Sequence, residues 1–201
     1  TTEKINDTGI YTKYKDYQPR CWYYNSYHRG HGYLNVSGAI EKSCNYFFYE
    51  TGNRMGIDTL DKYATYFGLG KKTGIELPSE TAGTLASPES AKKLNETWSA
   101  GQTLQASIGQ SYNSFSPIQL VKYIGMVANG GNKINPTLIK RIMNADGTES
   151  SKSEINQYVK EKLGLEDDNS ENLTFSKENI KAVLEGMRSV TEEGGTASSV
   201  F

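Results

Sequence analysis

Apolar residues recur at helical spacing in four segments of the chain, and this period predicts most of its secondary structure. The predicted helices cover residues 35–55, 57–67, 116–129 and 177–190. A glycine follows each of these segments within a few residues, as is common where helices end. Residues 87–89, Ser-Pro-Glu, have the pattern of a further helix start, with a capping serine before a proline. The chain is therefore predicted to be mainly helical.

The segments between these helices lack a clear period and are predicted to be loops with short extended stretches. Residues 1–34 are rich in polar and aromatic side chains, with one short strand predicted at residues 10–14. Residues 103–108 are apolar and end at a glycine, so we interpret them as a buried segment with the length of a strand. Residues 135–142 are predicted to be extended, and residues 144–172 to form an irregular polar insertion at the surface.

The composition points away from nucleic-acid and membrane-spanning proteins and towards a polar globular domain. The 201 residues carry 22 basic and 23 acidic side chains, so no net positive charge favours binding to nucleic acid. Hydrophobic residues make up 36%, and 14 tyrosines add apolar area that can still face water. No apolar run approaches the roughly 20 residues that span a bilayer, and no signal peptide is recognisable. Any membrane anchor is therefore expected outside this chain. The first residues, TTEKINDTG, and the last, GGTASSVF, do not resemble natural termini, so we interpret the chain as a piece of a longer protein.

The triplet Ser43-Cys44-Asn45 lies inside the first predicted helix and is the strongest candidate for chemistry. A Ser-x-Asn triplet alone is common by chance, and most copies are helix caps or polar helix faces. In an ideal helix, side chains two residues apart point to nearly opposite faces. Ser43 and Asn45 can therefore serve one site only if the helix is interrupted here. An interruption would present both side chains at the edge of a cleft and turn Cys44 the other way.

Together with the sequence around it, this triplet resembles the transpeptidase domain of penicillin-binding proteins, of the monofunctional class B type. The resemblance extends in order over nearly the whole chain. The stretches that carry it are Gly30-His31-Gly32 before the triplet and Phe47-Phe48-Tyr49 after it, then Phe67-Gly68-Leu69-Gly70, Thr73-Gly74-Ile75-Glu76-Leu77-Pro78-Ser79-Glu80, Ser107-Ile108-Gly109-Gln110 and Ser116-Pro117-Ile118-Gln119-Leu120.

The resemblance implies an α/β fold of the penicillin-binding protein and serine beta-lactamase type. This chain would be a mainly helical portion of that fold, incomplete without flanking segments. Residues 1–201 would then form part of one transpeptidase domain. Within it, residues 1–34 would be a loop-rich segment with a candidate metal site, and residues 35–130 a helical subdomain. Residues 131–201 would contain an extended segment, the surface insertion and the last helix.

The resemblance also implies an enzyme, a D,D-transpeptidase that cross-links peptidoglycan stem peptides through a serine acyl-enzyme. Three motifs surround the cleft in this family: Ser-x-x-Lys with the nucleophile, Ser-x-Asn, and Lys-Thr-Gly on a strand. Ser43 would relay a proton and Asn45 would bind the substrate amide. Beta-lactams would acylate the same nucleophile. The implied setting is the extracytoplasmic face of a bacterial cell membrane, with cell-wall synthesis membrane proteins as partners and no nucleic acid.

The other two family motifs have only misplaced copies in this chain. Residues 90–93, Ser-Ala-Lys-Lys, match Ser-x-x-Lys but follow the Ser-x-Asn triplet, whereas the family places its nucleophile first. Residues 72–74 spell Lys-Thr-Gly but continue into Ile-Glu-Leu-Pro, where the family has a loop. We interpret both copies as structural. The nucleophile and the cleft strand are expected before Thr1 and after Phe201, so the chain alone is predicted to be inactive.

Both cysteines and both histidines lie in one short segment, at Cys21, His28, His31 and Cys44. Two thiolates and two imidazoles suit tetrahedral Zn²⁺, and the glycines beside His31 allow a tight turn that brings the two rings together. We predict a structural zinc site with these four ligands, and Asp16 as a substitute if one of them fails. Three alternatives remain open: Cys44 as a plain buried thiol, a Cys21–Cys44 disulfide, and histidines that are only polar loop residues.

A metal ion held by four protein ligands would be structural, because no coordination position is left for water. It would fasten residues 21–34 to the back of the triplet that carries Ser43. A second class of function also fits these residues, namely a non-catalytic binding or scaffold domain that is stapled by zinc and keeps the transpeptidase architecture. The flanking residues separate the two classes: Ser-x-x-Lys before Thr1 and Lys-Thr-Gly after Phe201 would support the enzyme, and their loss would support the scaffold.

Overall fold

The computed structural model describes residues 2–165 and 173–200, which form nine helices and two short strands. The strands are β1 (Ile5–Asp7) and β2 (Gly32–Leu34). The helices are α1 (Trp22–Tyr27), α2 (Val36–Glu41), α3 (Asn45–Met55), α4 (Ile57–Tyr66), α5 (Pro88–Lys93), α6 (Ala100–Ala106), α7 (Pro117–Ala128), α8 (Lys152–Leu163) and α9 (Lys177–Ser189). The prediction of a mainly helical chain is confirmed. In this described part, no helix is long and apolar enough to cross a bilayer.

The chain divides into two compact units that interleave along the sequence. The first comprises Thr1–Tyr63, Leu85–Asn113 and Thr174–Phe201, and the second comprises Ala64–Thr84 and Ser114–Leu173. Every residue of the predicted catalytic pair and of the predicted metal site belongs to the first unit. The sequence predicted a division of the chain into three consecutive segments, residues 1–34, 35–130 and 131–201. Each compact unit contains residues from at least two of these segments.

The first predicted helix is interrupted at the Ser-x-Asn triplet, as it must be if Ser43 and Asn45 are to serve one site. Asn35 begins α2 as its N-cap, and its side chain accepts a hydrogen bond from the backbone N–H of Gly38 at 3.0 Å. The helix ends just before Ser43, which has a left-handed backbone with a φ of 50°. Cys44 then begins α3, because its Sγ accepts a hydrogen bond from the backbone N–H of Phe47 at 3.4 Å. The predicted interruption is confirmed.

Helix α1 lies within residues 1–34, which were predicted to be loops with one short strand, so that prediction is wrong in part. Serine caps begin several of the helices that the sequence predicted and two further helices that it did not. Helices α5 and α7 begin as expected, each with a serine N-cap followed by a proline. The strand interpretation of residues 103–108 is wrong, because a Ser-x-x-Gln capping box at residues 99–102 begins α6. The interpretation of residues 144–172 as irregular is wrong in part, since a Ser-x-x-Glu box at residues 151–154 begins α8. Residues 166–172 lie outside the described residues.

The sheet is small and does not include the strand predicted at residues 10–14. Strand β1 pairs antiparallel with β2, so that Asp7 lies opposite Gly32. In the described structure, residues 10–14 contribute an isolated bridge at Ile10 rather than a strand. The pairing of the two strands places Asp7 beside His31.

Helix α9 packs closely against α2, and a glycine makes this contact possible. A Cβ atom on Gly186 would lie 2.8 Å from the backbone oxygen of Ser37 and 2.9 Å from Cβ of Ile40. The hydroxyl of Ser37 donates to the backbone oxygen of Ala182 at 2.7 Å, which fixes the two helices in register. The loop after α9 is thereby placed against the turn that carries Ser43.

Ser111 has a strained backbone, and this predicts a stabilising substitution. Its φ of 65° is left-handed, a conformation that costs L-residues roughly 1–2 kcal/mol and glycine almost nothing. Its Oγ is also buried without a hydrogen-bond partner among the described residues. We expect Ser111→Gly to raise the free energy of unfolding by about 1 kcal/mol. Ser111→Ala removes only the orphaned hydroxyl and should stabilise less, so equal gains in thermal unfolding would contradict the backbone argument.

Candidate functional site

Ser43 and Asn45 emerge from the same interruption between α2 and α3. Ser43 is exposed on the left-handed turn, and Asn45 is the first residue of α3. The Oδ1 atom of Asn45 accepts a hydrogen bond from the backbone N–H of Trp22 at 3.1 Å. This contact fixes the orientation of the carboxamide and leaves its NH₂ group as the donor that can meet a ligand carbonyl. The two side chains thus lie on one turn of backbone.

Two other segments of the chain hold this turn in place. The indole N–H of Trp22 donates to the backbone oxygen of Lys42 at 2.9 Å. The ammonium of Lys42 donates to the backbone oxygen of Gly194 at 2.7 Å. The hydroxyls of Ser43 and Thr196 lie 2.7 Å apart. The turn is therefore bound both to the start of α1 and to the loop that follows α9.

Behind the turn, four side chains with metal-binding atoms converge: Asp7, Cys21, His31 and Cys44. Their ligand atoms all lie within 4.8 Å of one another. The Nδ1 atom of His31 lies 2.7 Å from Oδ2 of Asp7 and 3.6 Å from Sγ of Cys21. The thiol of Cys44 donates to the same Asp7 oxygen at 3.3 Å. Both cysteines are fully buried and Asp7 is 2% exposed, so the four groups meet in a dry site.

The structure unites three of the four predicted metal ligands and separates the fourth. His28 ends α1 in a left-handed conformation and is exposed, with its ring centroid 6.0 Å from that of Tyr24. It lies outside the converging group, because the chain turns from α1 into β2 between the two histidines. The prediction of His28 as a ligand is therefore corrected. The predicted substitute, Asp16, is also exposed and outside the group.

Asp7 is the ligand candidate that sequence reasoning missed. It lies in β1, outside the segment that holds both cysteines and both histidines, so no ligand spacing marks it. The antiparallel pairing of β1 with β2 brings it to His31. The sequence feature that distinguishes Asp7 is the pattern Asp-x-Gly. In the structure this pattern forms an Asx-turn, in which the backbone N–H of Gly9 donates to Oδ1 of Asp7 at 2.6 Å. That pattern predicts a turn and not a ligand.

Close hydrogen bonds in this dry site set the charges of the cluster. Burial raises the pKa of Asp7, but hydrogen bonds from His31, Gly9 and Cys44 outweigh it, so the pKa is lowered and the carboxylate is favoured. The hydrogen bond with Cys44 lowers the pKa of the Cys21 thiol to about 6, whereas that hydrogen bond and burial raise the pKa of Cys44. The pKa shifts therefore favour loss of the thiol proton from Cys21 before Cys44. A buried carboxylate beside a buried thiolate favours a cation between them.

The donor set and two of its separations fit a tetrahedral metal ion. With bonds of about 2.3 Å to sulfur and 2.0–2.2 Å to nitrogen and oxygen, ligand atoms around Zn²⁺ lie roughly 3.3–3.8 Å apart. The separations of 3.6 Å between Cys21 and His31 and 3.3 Å between Cys44 and Asp7 fall in this range. The 2.7 Å contact between His31 and Asp7 is shorter and would have to open. The other nitrogen of His31, Nε2, is buried with no hydrogen-bond partner among the described residues, so the ring is held through the atom that faces the cluster.

The two misplaced motif copies are engaged in structural contacts. The hydroxyl of Ser90 donates to the backbone oxygen of Ser87 at 2.9 Å and accepts from its N–H at 2.8 Å, which completes the cap of α5. Thr73 is buried, and its N–H and hydroxyl donate to Oε1 of Glu80 at 2.7 and 2.6 Å. Lys93 is exposed. In neither copy is a hydroxyl arranged as a nucleophile beside a lysine base.

Comparison with known proteins assigns the chain to a family. The family model of the penicillin binding protein transpeptidase domain matches residues 1–200. The chain therefore belongs to the penicillin-binding protein transpeptidase family. Among curated proteins, it is 38% identical over 112 residues to the peptidoglycan D,D-transpeptidase MrdA of Acinetobacter baumannii. It is 31% identical over 186 residues to penicillin-binding protein H of Bacillus subtilis.

These matches cover most of the chain but a smaller part of its relatives. The MrdA match spans 55% of this chain and 17% of the relative, and the match to penicillin-binding protein H spans 85% and 24%. The solved structure of Pseudomonas aeruginosa PBP2 in complex with WCK 5153 is similar over 99% of this chain and 41% of its own, at 29% identity and a TM-score of 0.77. The predicted fold, a mainly helical portion of a penicillin-binding protein transpeptidase, is confirmed. Because less than half of each relative is covered, the activity of the whole protein is a proposal.

Proposed function

We propose that this chain is part of a peptidoglycan D,D-transpeptidase, which cross-links cell-wall stem peptides through a serine acyl-enzyme. The observation that carries the proposal is the interrupted helix, which presents the hydroxyl of Ser43 and the carboxamide of Asn45 on one turn. The family match over residues 1–200 supports the same function, as does the similarity to MrdA. Of the three family motifs, this chain supplies Ser-x-Asn.

In this mechanism the family's nucleophilic serine attacks a carbonyl of the stem peptide, and the departing amine takes up a proton. Ser43 relays that proton, since its oxygen accepts one proton while its own hydroxyl proton moves on. Asn45 holds the substrate amide through its NH₂ group, because its Oδ1 is occupied by the backbone N–H of Trp22. A beta-lactam presents its ring carbonyl in the same place, and its ring nitrogen is the departing amine, so it acylates the same serine.

Substitution of the pair in the full-length protein tests this function. We expect Ser43→Ala to slow acylation by a fluorescent penicillin about 10²-fold, the usual scale for a proton-transfer group. Asn45→Ala should also slow acylation, because the substrate amide loses its partner. Ser90→Ala is the matched control, since it removes the hydroxyl of the misplaced Ser-x-x-Lys copy and should leave the rate unchanged. A protein whose labelling survives Ser43→Ala but is lost in Ser90→Ala would overturn the assignment.

We also propose a structural Zn²⁺ ion held by Asp7, Cys21, His31 and Cys44. The support for it is the convergence of four ligand atoms within 4.8 Å in a buried site that contains a carboxylate and a thiolate. When bound, the ion would neutralise these charges and tie β1 and the loop before β2 to the start of α3. Four protein ligands leave no position for water, so the ion would act on acyl transfer only through the structure that it holds.

Family membership supports a place for the protein at the extracytoplasmic face of the bacterial cell membrane. Peptidoglycan stem peptides are then its substrates, beta-lactams its inhibitors, and cell-wall synthesis membrane proteins its partners. The scaffold alternative, a zinc-stapled domain that binds without catalysing, predicts a different labelling result. A folded, metal-containing full-length protein that no fluorescent penicillin labels would favour it.

A further inference from the structure

We propose that Thr196 is a positioning residue for the proton relay at Ser43. This inference rests on the proposed function of Ser43 and adds a residue outside the three family motifs. The hydroxyl oxygens of the two residues lie 2.7 Å apart, the separation of a good O–H···O hydrogen bond. They are 153 residues apart in the sequence, so the contact is made by the fold and not by local structure.

The loop after α9 has a backbone shape that favours glycine at two positions. Gly194 has a left-handed φ of 87°, which favours glycine over other residues. A Cβ atom on Gly195 would lie 2.2 Å from the backbone oxygen of Ser189, so a larger residue would collide with the end of the helix. The backbone N–H of Ala197 donates to the backbone oxygen of Val190 at 2.9 Å and closes the loop. The chain therefore folds back tightly at the position of Thr196.

Two further contacts fasten this loop to the residues just before Ser43. The backbone N–H of Thr196 donates to the backbone oxygen of Glu41 at 3.2 Å. The ammonium of Lys42 donates to the backbone oxygen of Gly194 at 2.7 Å. Because both anchors are independent of the Thr196 hydroxyl, the hydroxyl can be removed while the loop keeps its place.

The direction of the hydrogen bond determines what Thr196 does. A serine hydroxyl has one proton and two lone pairs. A relay uses the proton and one lone pair, because Ser43 must donate to one group and accept from another. The second lone pair is left over, and the Thr196 hydroxyl can donate to it at 2.7 Å. The competing acceptor, the backbone oxygen of Glu41, lies 3.5 Å from the Thr196 hydroxyl, so the bond to Ser43 is the stronger one.

This hydrogen bond orients the Ser43 oxygen without removing it from the relay. Ser43 is exposed on its turn, and an unrestrained hydroxyl there would divide its time among three staggered positions. A donor on its second lone pair selects one of them. The same donor stabilises the negative charge that builds up on the oxygen as its proton leaves. Loss of the Thr196 hydroxyl should therefore slow acyl transfer and leave the fold unchanged.

Acylation of the full-length protein by a fluorescent penicillin tests this inference. Thr196→Val removes the hydroxyl and keeps the branched shape of the side chain. We expect it to slow acylation about tenfold, the effect of losing one hydrogen bond in the transition state. Thr196→Ser restores the hydroxyl and should recover the rate to within about twofold. Thr191→Val is the matched control, because its hydroxyl donates to the backbone oxygen of Arg188 at 2.8 Å and not to Ser43. It should leave the rate unchanged.

A double-mutant cycle separates positioning from a purely structural role. In a Ser43→Ala background the hydrogen bond has no acceptor, so Thr196→Val should cause no further loss of rate. An equal loss in both backgrounds would overturn the inference and leave the relay at Ser43 standing. If Ser43→Ala alone keeps the full rate, the relay fails and the inference fails with it. Should thermal unfolding show that Thr196→Val is unstable, Thr196→Ala removes the same hydroxyl with a smaller side chain and decides the question.

Discussion

Removal of the proposed zinc ion from the full-length protein is expected to lower its melting temperature and its acylation rate together. A structural zinc ion contributes directly to folding, and a ligand at about a thousand times its Kd stabilises by roughly 4 kcal/mol. The four ligands come from β1, the start of α1, the residue before β2 and the N-cap of α3, so the ion would cross-link distant parts of the chain. We expect a chelator to lower the free energy of unfolding by about 3–4 kcal/mol and added Zn²⁺ to restore it.

Variants of single ligands should reproduce the effect of the chelator. Cys44→Ser and Asp7→Asn each weaken one member of the cluster, so the zinc found by elemental analysis should fall well below about one ion per protein. His28→Ala is the matched control, since this histidine lies in the same segment but is exposed and outside the cluster. It should keep both the metal and the melting temperature. Metal lost from His28→Ala but retained by Cys44→Ser would refute the ligand assignment.

The disulfide alternative predicts a different outcome for the same protein. Both Cys21 and Cys44 are free thiols in the structure. After chelation and denaturation without reductant, a thiol reagent should therefore modify both cysteines. A Cys21–Cys44 disulfide would leave neither reactive, and the melting temperature would then respond to a reducing agent and not to a chelator.

The acylation rate should follow the metal because the cluster and the turn that carries Ser43 share a stretch of backbone. Cys44 belongs to the cluster and also caps α3, on which Asn45 is the first residue. Trp22 directly follows Cys21, and its backbone N–H donates to Oδ1 of Asn45 at 3.1 Å. A relaxed cluster would release this donor and let the carboxamide rotate. A chelated protein that melts earlier but is acylated at the full rate while folded would show that the two are not coupled.

The interrupted helix could be predicted from the sequence because two local rules agree on it. Ser43 and Asn45 cannot share a site on an unbroken helix, and Asn35 and Gly56 are good start and stop residues for the helical region. The structure confirms all of these features. The same helical period places α4, α7 and α9 within one or two residues of their observed bounds.

The rest of the site depends on contacts between distant parts of the chain, which no local pattern marks. Asp7 reaches the cluster through the pairing of β1 with β2, and Thr196 reaches Ser43 through the packing of α9 against α2. Two of the missed helices, α6 and α8, are a different case. Their capping boxes, at residues 99–102 and 151–154, are visible in the sequence, but short or polar segments after them give a weak helical period.

Replacement of Gly186 by alanine is expected to destabilise the protein, although alanine is the better helix former. Alanine would gain about 1 kcal/mol of helix propensity in the middle of α9. Its Cβ would, however, lie 2.8 Å from the backbone oxygen of Ser37 and 2.9 Å from Cβ of Ile40. A backbone oxygen cannot rotate away, so the helices must separate, and overpacking of this kind costs roughly 1–3 kcal/mol or more. We expect a net loss of about 1–2 kcal/mol in denaturant unfolding, and a larger loss for Gly186→Val.

Gly38→Ala, on the facing helix α2, is the matched control and should have the opposite sign. A Cβ there would lie 3.4 Å from the Leu34 side chain and 3.5 Å from that of Asn35, which are ordinary contacts, so the gain in helix propensity is kept. Helix α9 also leads into the loop with Thr196, so its displacement in Gly186→Ala should slow penicillin acylation of the folded protein. Gly38→Ala should leave that rate unchanged. Two variants that change stability in the same direction and by the same amount would show that the close approach at Gly186 does not govern how α9 packs on α2.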